Sequence, residues 1–588
     1  MWKICINFLQ FTIMKRNKIF KITMVVVATF IVGTMITACS DWDDHYDPGK
    51  AVEGSATVTL WENIQNNSNL SEFAALLKKT NYDKVLNADQ TFTVWAPLNG
   101  TFDYDVLATE GNDKLLKEFV QNHIARNNFP ASGVINERVL MLNEKILVFE
   151  GEGEYTMSGV SIAQPNVASL NGVMHTLNSK LEFLSSIYES LDASQFPIDS
   201  ISNYFHQFDL KVLNKTKSIV GPIVDGEITY LDSIFDEDNS RYTVYRAFIN
   251  SEDSNYTMVV PTNEAWMKAK RIIEPFFNYV DNFKFAENAN TNNPQDVNID
   301  AAYLRDSMIH LSLMKGLFYN NNIYDNGALN TLQDGQHLQV DSLVTTSYGK
   351  LYPEDAANFF EGSTRVNKSN GAIFVTDSLR LHTWSFWNPP ITVEAENSSS
   401  IASITGGNRT VYAISSGKQN PNIEGSVSNR SYLQVSPSTA SGNPSINLYL
   451  PDVLSTKYRI YGVFVPANIT NFYATDTLPS SIRAQLIYNN EFGAIPRAAL
   501  TLGNFETNPN KIDTVAIGEF EFPIAYAGTG NYAPILRLSG VVQSSERDKY
   551  TRTIRLDCIL LIPVELDDYM KEHPDYTYPK TTETYIYY

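Results

Sequence analysis

Short apolar runs that end abruptly at a proline recur along the first two thirds of the chain. Residues 92–102 (FTVWAPLNGTF) are echoed by residues 256–266 (YTMVVPTNEAW). In each segment a β-rich run stops at the proline, a polar pair turns the chain, and an aromatic residue begins a helix. Because the pattern occurs twice, it predicts an internal repeat as well as two strands.

A second pair of segments follows the first in the same order. Residues 170–177 (LNGVMHTL) and 369–377 (SNGAIFVTD) each place Asn-Gly before alternating apolar residues, which predicts a tight turn into a strand. Between the paired segments, residues 115–123 and 304–310 are predicted to be helices, each ending at a histidine. The repeat therefore consists of strand, helix and strand in two copies.

These segments together resemble the fasciclin (FAS1) domain, a β-sandwich wedge flanked by helices. The resemblance implies fasciclin-like domains at residues 57–184 and 185–388, the second enlarged by an Asn-rich insertion near 276–300 that we expect to be a surface loop. The family usually carries tyrosine before the motif histidine, whereas Asn122 and Ile309 stand there in this chain. We therefore interpret the motif side chains as packing residues, namely His123, His175, His310, Trp95 and Trp266.

The last third of the chain has a different pattern. Strand-like runs occur at residues 458–465, 482–488 and 553–560, separated by Ser-, Asn- and Gly-rich turns, and no tryptophan follows Trp387. Many short strands without a convincing helix predict an all-β sandwich over residues 389–566. Residues 567–588 form a Tyr-rich tail, which is either a frayed end or a strand that docks on a partner.

The two ends of this third, residues 391–396 and 556–563, resemble the first and last strands of galactose-binding-like jelly rolls, the architecture of several carbohydrate-binding modules. The expected fold class is therefore multidomain, with two α+β fasciclin-like β-sandwich wedges followed by an all-β jelly-roll-like sandwich.

Acidic residues at both ends of the sandwich are candidate metal ligands. Period-2 geometry puts Glu394 and Glu396 on one face of a strand, and the partner strand brings Asp557 within reach. Carboxylate oxygens suit a structural Ca²⁺, and the resemblance implies a calcium at such a place. The alternative is three carboxylates on a solvated edge.

Sugar binding calls for exposed aromatic rings. Because this third lacks tryptophan beyond Trp387, the candidates for ligand binding are Tyr412, Tyr432 and Tyr532. Cys558 alternates with leucines and is expected to be a buried, inert thiol.

The N-terminal pattern predicts export. A basic segment after Met14 precedes an apolar stretch at residues 24–36, so residues 1–38 form a secretory signal, with Met14 as an alternative start. The sequence Ile-Thr-Ala-Cys at 36–39 resembles a bacterial lipobox, which implies acylation of Cys39 with palmitate-type chains. Residues 39–56 form an acidic tether similar to the surface-export signal of Bacteroidota lipoproteins. We expect a lipid-anchored protein of the outer membrane that faces the cell exterior.

Composition narrows the classes of function. The chain has 588 residues, 45 Lys+Arg and 65 Asp+Glu, and a net charge of −20, so nucleic acid is not an expected partner. No HExxH, GxSxG, P-loop, GxGxxG or CxxC motif occurs, and we therefore expect no enzyme and no cofactor beyond a structural calcium. Carboxylate pairs for glycoside hydrolysis are left open because they need proximity in space only.

These features together favour a non-catalytic surface lipoprotein that binds a polymer, above all a polysaccharide. Its partners would be membrane lipid, through Cys39, and an outer-membrane TonB-dependent transporter with its lidding lipoprotein (SusC/SusD-like). The alternative is a cell-surface adhesin that acts through the fasciclin-like domains.

Overall fold

The computed structural model describes residues 57–192, 195–224, 226–474 and 477–576. The described residues separate into two units, one containing residues 57–183 together with 218–233, and the other containing residues 184–217 and 234–576. Among the described residues, no helix has the length and apolar character needed to cross a membrane. Cys39 and the predicted signal and tether lie outside the described residues.

The protein is multidomain and mostly β. The helices are α1 (Leu60–Asn66), α2 (Ser71–Lys79), α3 (Tyr82–Val85), α4 (Tyr104–Thr109), α5 (Asn112–Leu115), α6 (Asp199–His206), α7 (Ser240–Tyr245), α8 (Asn263–Ile273), α9 (Ala301–Met314), α10 (Pro353–Phe360), α11 (Thr383–Phe386) and α12 (Val564–Glu572). The strands are β1 (Phe92–Pro97), β2 (Ile124–Arg126), β3 (Val134–Leu140), β4 (Ile146–Glu152), β5 (Glu154–Met157), β6 (Val160–Ser169), β7 (Gly172–Leu177), β8 (Asp209–Leu213), β9 (Ile219–Val224), β10 (Glu227–Asp232), β11 (Phe235–Asn239), β12 (Tyr256–Pro261), β13 (Asn282–Phe285), β14 (Gln295–Asn298), β15 (Phe318–Asn320), β16 (Leu343–Val344), β17 (Lys350–Leu351), β18 (Thr364–Lys368), β19 (Gly371–Thr376), β20 (Ile391–Glu394), β21 (Ile401–Thr405), β22 (Gly407–Ala413), β23 (Ser431–Pro437), β24 (Ser445–Tyr449), β25 (Lys457–Phe464), β26 (Ser481–Ile487), β27 (Leu500–Glu506), β28 (Asp513–Glu521), β29 (Ile535–Gly540) and β30 (Ile554–Pro563).

The first unit is built on a seven-stranded sheet with the order β2-β1-β7-β6-β5-β4-β3. All six residues of β1 are buried, as expected for a strand covered on both faces. β1 runs parallel to β7, so the proline-ended strand and the Asn-Gly strand are direct neighbours. Trp95, on β1, is fully buried, and its ring stacks on His175 of β7 at a centroid distance of 5.7 Å.

The second unit contains a smaller sheet with the same central pair. Its order is β15-β12-β19-β18, and β12 runs parallel to β19. The register also repeats, because Gly172 lies opposite Phe92 and Gly371 opposite Tyr256. The helix before the second strand differs between the copies, since α9 continues four residues past His310 rather than ending there.

Residues 218–233 correct the predicted boundary between the fasciclin-like domains. They were assigned with the rest of 185–388 to the second domain, but the β9–β10 hairpin groups with the first unit. Ile219 is buried in the first unit's core, and Asp232 accepts hydrogen bonds from the Tyr82 hydroxyl at 2.5 Å and the Gln121 amide at 2.7 Å. The hairpin groups with the first copy because these contacts of Ile219 and Asp232 are made there.

The C-terminal third forms two packed antiparallel sheets. One contains β22, β23, β30, β25 and β28 in that order, with β20 also paired to β30, and the other has the order β21-β24-β29-β26-β27. Alternate residues point inward, as in β26, where Ile482, Ala484 and Leu486 are fully buried while Arg483 is exposed. This alternation defines a sandwich with an apolar core between the sheets.

The insertion near 276–300 is not the predicted surface loop. Strands β13 and β14 form a hairpin whose Phe283, Phe285 and Val297 are buried in the core of the C-terminal sandwich. Lys284 also donates its backbone N–H to the Gly493 carbonyl at 2.8 Å. The Asn-rich turn is polar, but the strands on either side alternate, so the insertion packs against the sandwich.

The predicted boundary at residue 566 falls inside helix α12. The Arg459 guanidinium donates to Asp567 and, at 2.5 Å, to Asp568, which holds this helix against β25. Tyr576 donates its hydroxyl to the Asp355 carboxylate at 3.1 Å. Residues 567–576 are therefore packed rather than frayed, and residues 577–588 lie outside the described part.

Candidate metal centre

The candidate centre lies where β30 changes neighbours within its sheet. On one side Cys558 pairs with Glu394 of β20, and on the other Leu556 pairs with Leu433 of β23. Asp557 occupies the changeover between the two partner strands, and its backbone carbonyl accepts the Ala395 N–H at 2.9 Å. The gap between β20 and β23 therefore brings carboxylates from two distant segments together.

A short turn before β23 closes this gap. The Ser428 hydroxyl donates to Glu394 Oε1 at 2.6 Å, and the Ser428 backbone N–H donates to Asp557 Oδ2 at 3.0 Å. The Asn429 amide lies 3.4 Å from Glu396 Oε1. Asn429 has a φ of +49°, a left-handed conformation that asparagine tolerates better than most residues. The turn thus supplies donors to one oxygen of each carboxylate.

The second oxygen of each carboxylate has no partner among the described residues. Glu394 Oε2, Glu396 Oε2 and Asp557 Oδ1 are all buried and accept no hydrogen bond there. Ligand atoms of Glu394, Asp557 and Cys558 lie within 4.8 Å of one another. Buried acceptors without partners are costly, so their grouping at one place calls for a positively charged group.

The pKa shifts of the carboxyl groups also favour a cation at this centre. Burial raises the pKa of Asp557 to about 8, and the negative charges of Glu394 and Glu396 add to the shift. Burial also raises the pKa of Glu394 to about 7, against the hydrogen bond from Ser428, which lowers it. Carboxylates that resist ionisation in this way are stabilised as anions when a cation lies between them.

The donor set fits a hard divalent cation. The three unpartnered oxygens are carboxylate oxygens, the ligands that Ca²⁺ prefers, and a serine hydroxyl lies beside them. Burial raises the pKa of the Cys558 thiol, which keeps the soft sulfur protonated and makes it a poor ligand. Glu394, Glu396 and Asp557 are therefore the residues able to hold a calcium ion here.

Ser428 was not predicted from the sequence, although it donates hydrogen bonds to both Glu394 and Asp557. Ser428 lies 34 residues after Glu394 in a turn with no motif of its own, so only the folded arrangement identifies it. Asp557 was predicted to lie near Glu394 because the resemblance pairs their strands, and the structure places ligand atoms of the two residues within 4.8 Å. Glu396 lies at the margin of the group, outside the set whose ligand atoms are within 4.8 Å.

The three candidate tyrosines are not equivalent in the structure. Tyr412 is 41% exposed and stacks on Tyr432, with ring centroids 5.5 Å apart. Tyr432 itself is buried beneath it, and Tyr532 packs edge-on against Phe285 at 5.0 Å. Tyr412 is therefore the most exposed of the three, whereas Tyr432 is buried and Tyr532, which is partly buried, packs against neighbouring rings.

Loop residues supply exposed rings that the sequence did not single out. Tyr473 is 91% exposed and Phe492 is 78% exposed. Phe472, beside Tyr473, is also exposed. They follow β25 and β26 in Asn-rich turns. An aromatic residue in a polar turn is the sequence feature that could have identified these rings as exposed.

Comparison with known families identifies the first domain. Residues 68–182 match the family model of the fasciclin domain. This match confirms the fasciclin domain predicted at residues 57–184. A protein of Synechocystis sp., Protein sll1483, is 26% identical over 131 residues, which are 21% of this chain and 72% of that protein.

Solved structures give two further likenesses. A FAS1 domain pair from the insect cell adhesion molecule Fasciclin I has a TM-score of 0.20 and 13% identity, over 55% of this chain and 99% of that one. The CBM22-2 xylan-binding domain of Paenibacillus barcinonensis Xyn10C has a TM-score of 0.18 and 11% identity, over 29% of this chain and 98% of that one. At these TM-scores neither likeness carries an argument about this chain.

Proposed function

We propose that this chain is a non-catalytic surface lipoprotein whose C-terminal sandwich binds a polysaccharide. The observation that carries the proposal is the closure of the acidic centre. Its unpartnered carboxylate oxygens are buried, so a substrate has no access to them, and they serve to hold a cation. An acidic pair that cleaved a glycan would instead have to open into a cleft.

A bound calcium ion would stabilise the part of the sandwich that carries exposed rings. Ser428 links the centre to β23, and the next residues of β23 lead to Tyr432, on which the exposed ring of Tyr412 stacks. The exposed ring of Tyr412 offers a flat apolar face and a polar hydroxyl to a sugar ring. Calcium is in this proposal a structural ion and makes no contact with the glycan.

The location in the proposal rests on the N-terminal sequence. Acylated Cys39 would anchor the chain in the outer membrane, and the acidic tether would lead to the cell exterior. Replacing Cys39 with alanine should abolish incorporation of a labelled palmitate analogue and release the protein from the membrane fraction. Protease added to intact cells should digest the wild-type protein, and protection from protease would count against surface display.

The proposed setting is a nutrient-uptake complex beside a TonB-dependent transporter and its lidding lipoprotein. Affinity capture of the intact protein from solubilised outer membranes should recover such a transporter in stoichiometric amount. A strain lacking the protein should then grow more slowly on one polysaccharide and normally on glucose.

The second candidate is an adhesin, favoured by the fasciclin domain at residues 68–182. Loss of surface attachment in the deletion strain, with normal growth on every polysaccharide and no transporter captured, would replace uptake with adhesion.

A further inference from the structure

On the outward face of the five-stranded sheet, two adjacent cross-strand rows consist entirely of polar side chains. One side of each strand faces the sandwich core, as Ile446, Leu448 and Leu538 show by their complete burial. The opposite side forms the polar face, which consists of two rows, Ser403, Asn447, Arg537, Gln485 and Thr501 in one and Thr405, Ser445, Ser539, Arg483 and Asn504 in the other. Five strands span about 19 Å at the usual strand spacing.

The polar face contains two cations and no carboxylate. The chain as a whole has 65 acidic and 45 basic residues, so a ten-residue face with arginine alone departs from the average surface. Within the described part of the chain, neither Arg483 nor Arg537 forms an ion pair. Glu506, opposite Ser481, lies one row beyond the polar face as a diagonal neighbour of Arg483, and its carboxylate accepts a hydrogen bond from the Tyr550 hydroxyl.

Both guanidinium groups are held in place by amide side chains. Arg537 Nε donates to Asn447 Oδ1 at 2.9 Å, and Asn447 in turn donates to Ser403 Oγ at 2.8 Å. Arg483 Nε donates to Asn504 Oδ1 at 3.2 Å. These contacts use Nε, and the Nη atoms of both arginines make no hydrogen bond to any described residue. An oriented guanidinium with free Nη groups binds an oxyanion through paired hydrogen bonds.

The two arginines bring two positive charges onto neighbouring positions of the polar face. Arg483 lies two residues before Gln485, which is opposite Arg537, so the two are diagonal neighbours about 7–8 Å apart. The same two rows hold the exposed Thr405, Thr501 and Asn504, whose hydroxyl and amide groups can exchange hydrogen bonds with sugar hydroxyls, whereas Asn447 is buried. An anionic chain with hydroxyl groups would satisfy both features at once.

We infer that the polar face binds an anionic polysaccharide, with Arg483 and Arg537 each pairing with a carboxylate or sulfate group of the sugar chain. This inference rests on the proposed function and names its ligand class. The tyrosine ring near the metal centre is not part of the polar face. Because the chain has a net charge of −20, it repels polyanions in general. Binding of an anionic polysaccharide therefore requires a local positively charged site.

The test is affinity electrophoresis of the full-length detergent-solubilised chain through gels that contain one polysaccharide each. Alginate presents carboxylates, dextran sulfate presents sulfates, and dextran is the uncharged counterpart of the second. We expect retardation by alginate or dextran sulfate and a dissociation constant at least tenfold higher for R483Q and for R537Q. R271Q removes an exposed, unpaired arginine on α8 and is the matched control, which should bind like the wild type.

Each outcome decides the inference. Because Arg483 is exposed, R483Q should fold normally, as its melting temperature will show, and this variant keeps the test valid if R537Q unfolds. Retardation by alginate or dextran sulfate that R483Q leaves unchanged would overturn the inference. Retardation by dextran alone would also overturn it, while the proposed glycan-binding function would stand. No retardation by any polysaccharide, on these gels or on a wider panel of neutral polysaccharides, would contradict both the inference and the proposed glycan-binding function.

Discussion

Asn171 and Asn370 make the same three hydrogen bonds in the two copies of the repeat. Each side-chain oxygen accepts a backbone N–H, from Leu60 at 2.8 Å and from Ile187 at 2.9 Å. Each side-chain amide donates to two backbone carbonyls, those of residues 86 and 88 in one copy and of residues 249 and 251 in the other. The Asn-Gly pair is therefore a buried junction between the paired strands and the segment that enters each domain.

Replacing either asparagine with alanine should destabilise its own unit. Three backbone groups lose a hydrogen-bond partner, two of them buried, and at about 1–3 kcal/mol for an unsatisfied buried group the cost should reach about 2–4 kcal/mol after local relaxation. Urea unfolding of N171A and N370A measures this free energy. N408A, at an exposed position of β22, is the control and should change it by less than about 0.5 kcal/mol. Equal stability of N171A and N408A would show that the junction is not structural.

Replacing Gly172 or Gly371 with alanine should have a larger effect. Gly172 has a φ of +148°, and an added Cβ would lie 1.8 Å from the Phe92 carbonyl oxygen. Gly371 has a φ of +138° and would meet the Tyr256 oxygen at the same distance. We expect insoluble or unfolded protein from both variants, judged by circular dichroism. G111A, where an added Cβ meets open space, should remain folded.

The hairpin of β13 and β14 should be required for the sandwich to fold. Phe283 is buried in the sandwich core and packs near Tyr526 and Tyr532. F283A should lower the free energy of unfolding by about 3–5 kcal/mol, the usual cost of removing a buried phenylalanine. F492A removes an exposed ring and should cost less than about 0.5 kcal/mol. A fragment of residues 391–588 that is as stable as the intact chain would contradict this role of the hairpin.

Calcium should raise the stability of the chain through Glu394 and Asp557. At a concentration one hundred times the dissociation constant, binding to the folded state adds about 2.7 kcal/mol. Differential scanning fluorimetry with calcium or with EDTA should show this difference for the wild type and for E491Q, which alters an exposed carboxylate. D557N should lose the difference, yet be at least as stable as the wild type in EDTA, because it removes a buried carboxyl group that without a cation must either take up a proton or carry a charge beside Glu394 and Glu396. A calcium response that persists in D557N would place the ion elsewhere.

Acid should destabilise the first unit through its buried histidines. Burial lowers the pKa of His123 and of His175 to about 4, whereas an unfolded histidine titrates near 6.5. The unfolded state therefore binds more protons, so the stabilising contribution is complete above pH 6.5 and is lost as the pH falls towards 4. Between pH 7.5 and 4.5 each histidine should account for about 2–3 kcal/mol of lost stability.

Urea unfolding at the two pH values tests this directly. H175Q should be less stable than the wild type at pH 7.5 but should lose less stability on acidification. An unchanged difference between the two pH values in H175Q would show that His175 does not titrate on unfolding.

Local patterns in the sequence predicted the parts of the fold that depend on neighbours along the chain. The proline-ended strands and the Asn-Gly turns lie side by side as their repetition indicated, since each motif carries its own turn chemistry. Strand periodicity placed Glu394 and Glu396 on one face, and the resemblance to galactose-binding-like jelly rolls supplied the partner strand of Asp557. Ser428 and the two arginines of the polar face could not be found in this way, because their roles arise from strands brought together over long sequence distances.

The insertion near 276–300 shows where composition misled the prediction. Its asparagines indicated a surface loop, but Phe283, Phe285 and Val297 alternate with polar residues as a half-buried hairpin requires. The local pattern did not show which part of the protein buries this apolar face. It packs into the sandwich core, whose strands lie more than a hundred residues later in the sequence.

The most direct test of the proposed function is retention of the full-length chain on an array of immobilised polysaccharides, with release of reducing ends assayed in the same wells. The proposal predicts that at least one polysaccharide retains the protein and that none is cleaved. Absence of retention on every polysaccharide would contradict the binding function, and release of reducing ends that D557N abolishes would show that the acidic centre is catalytic.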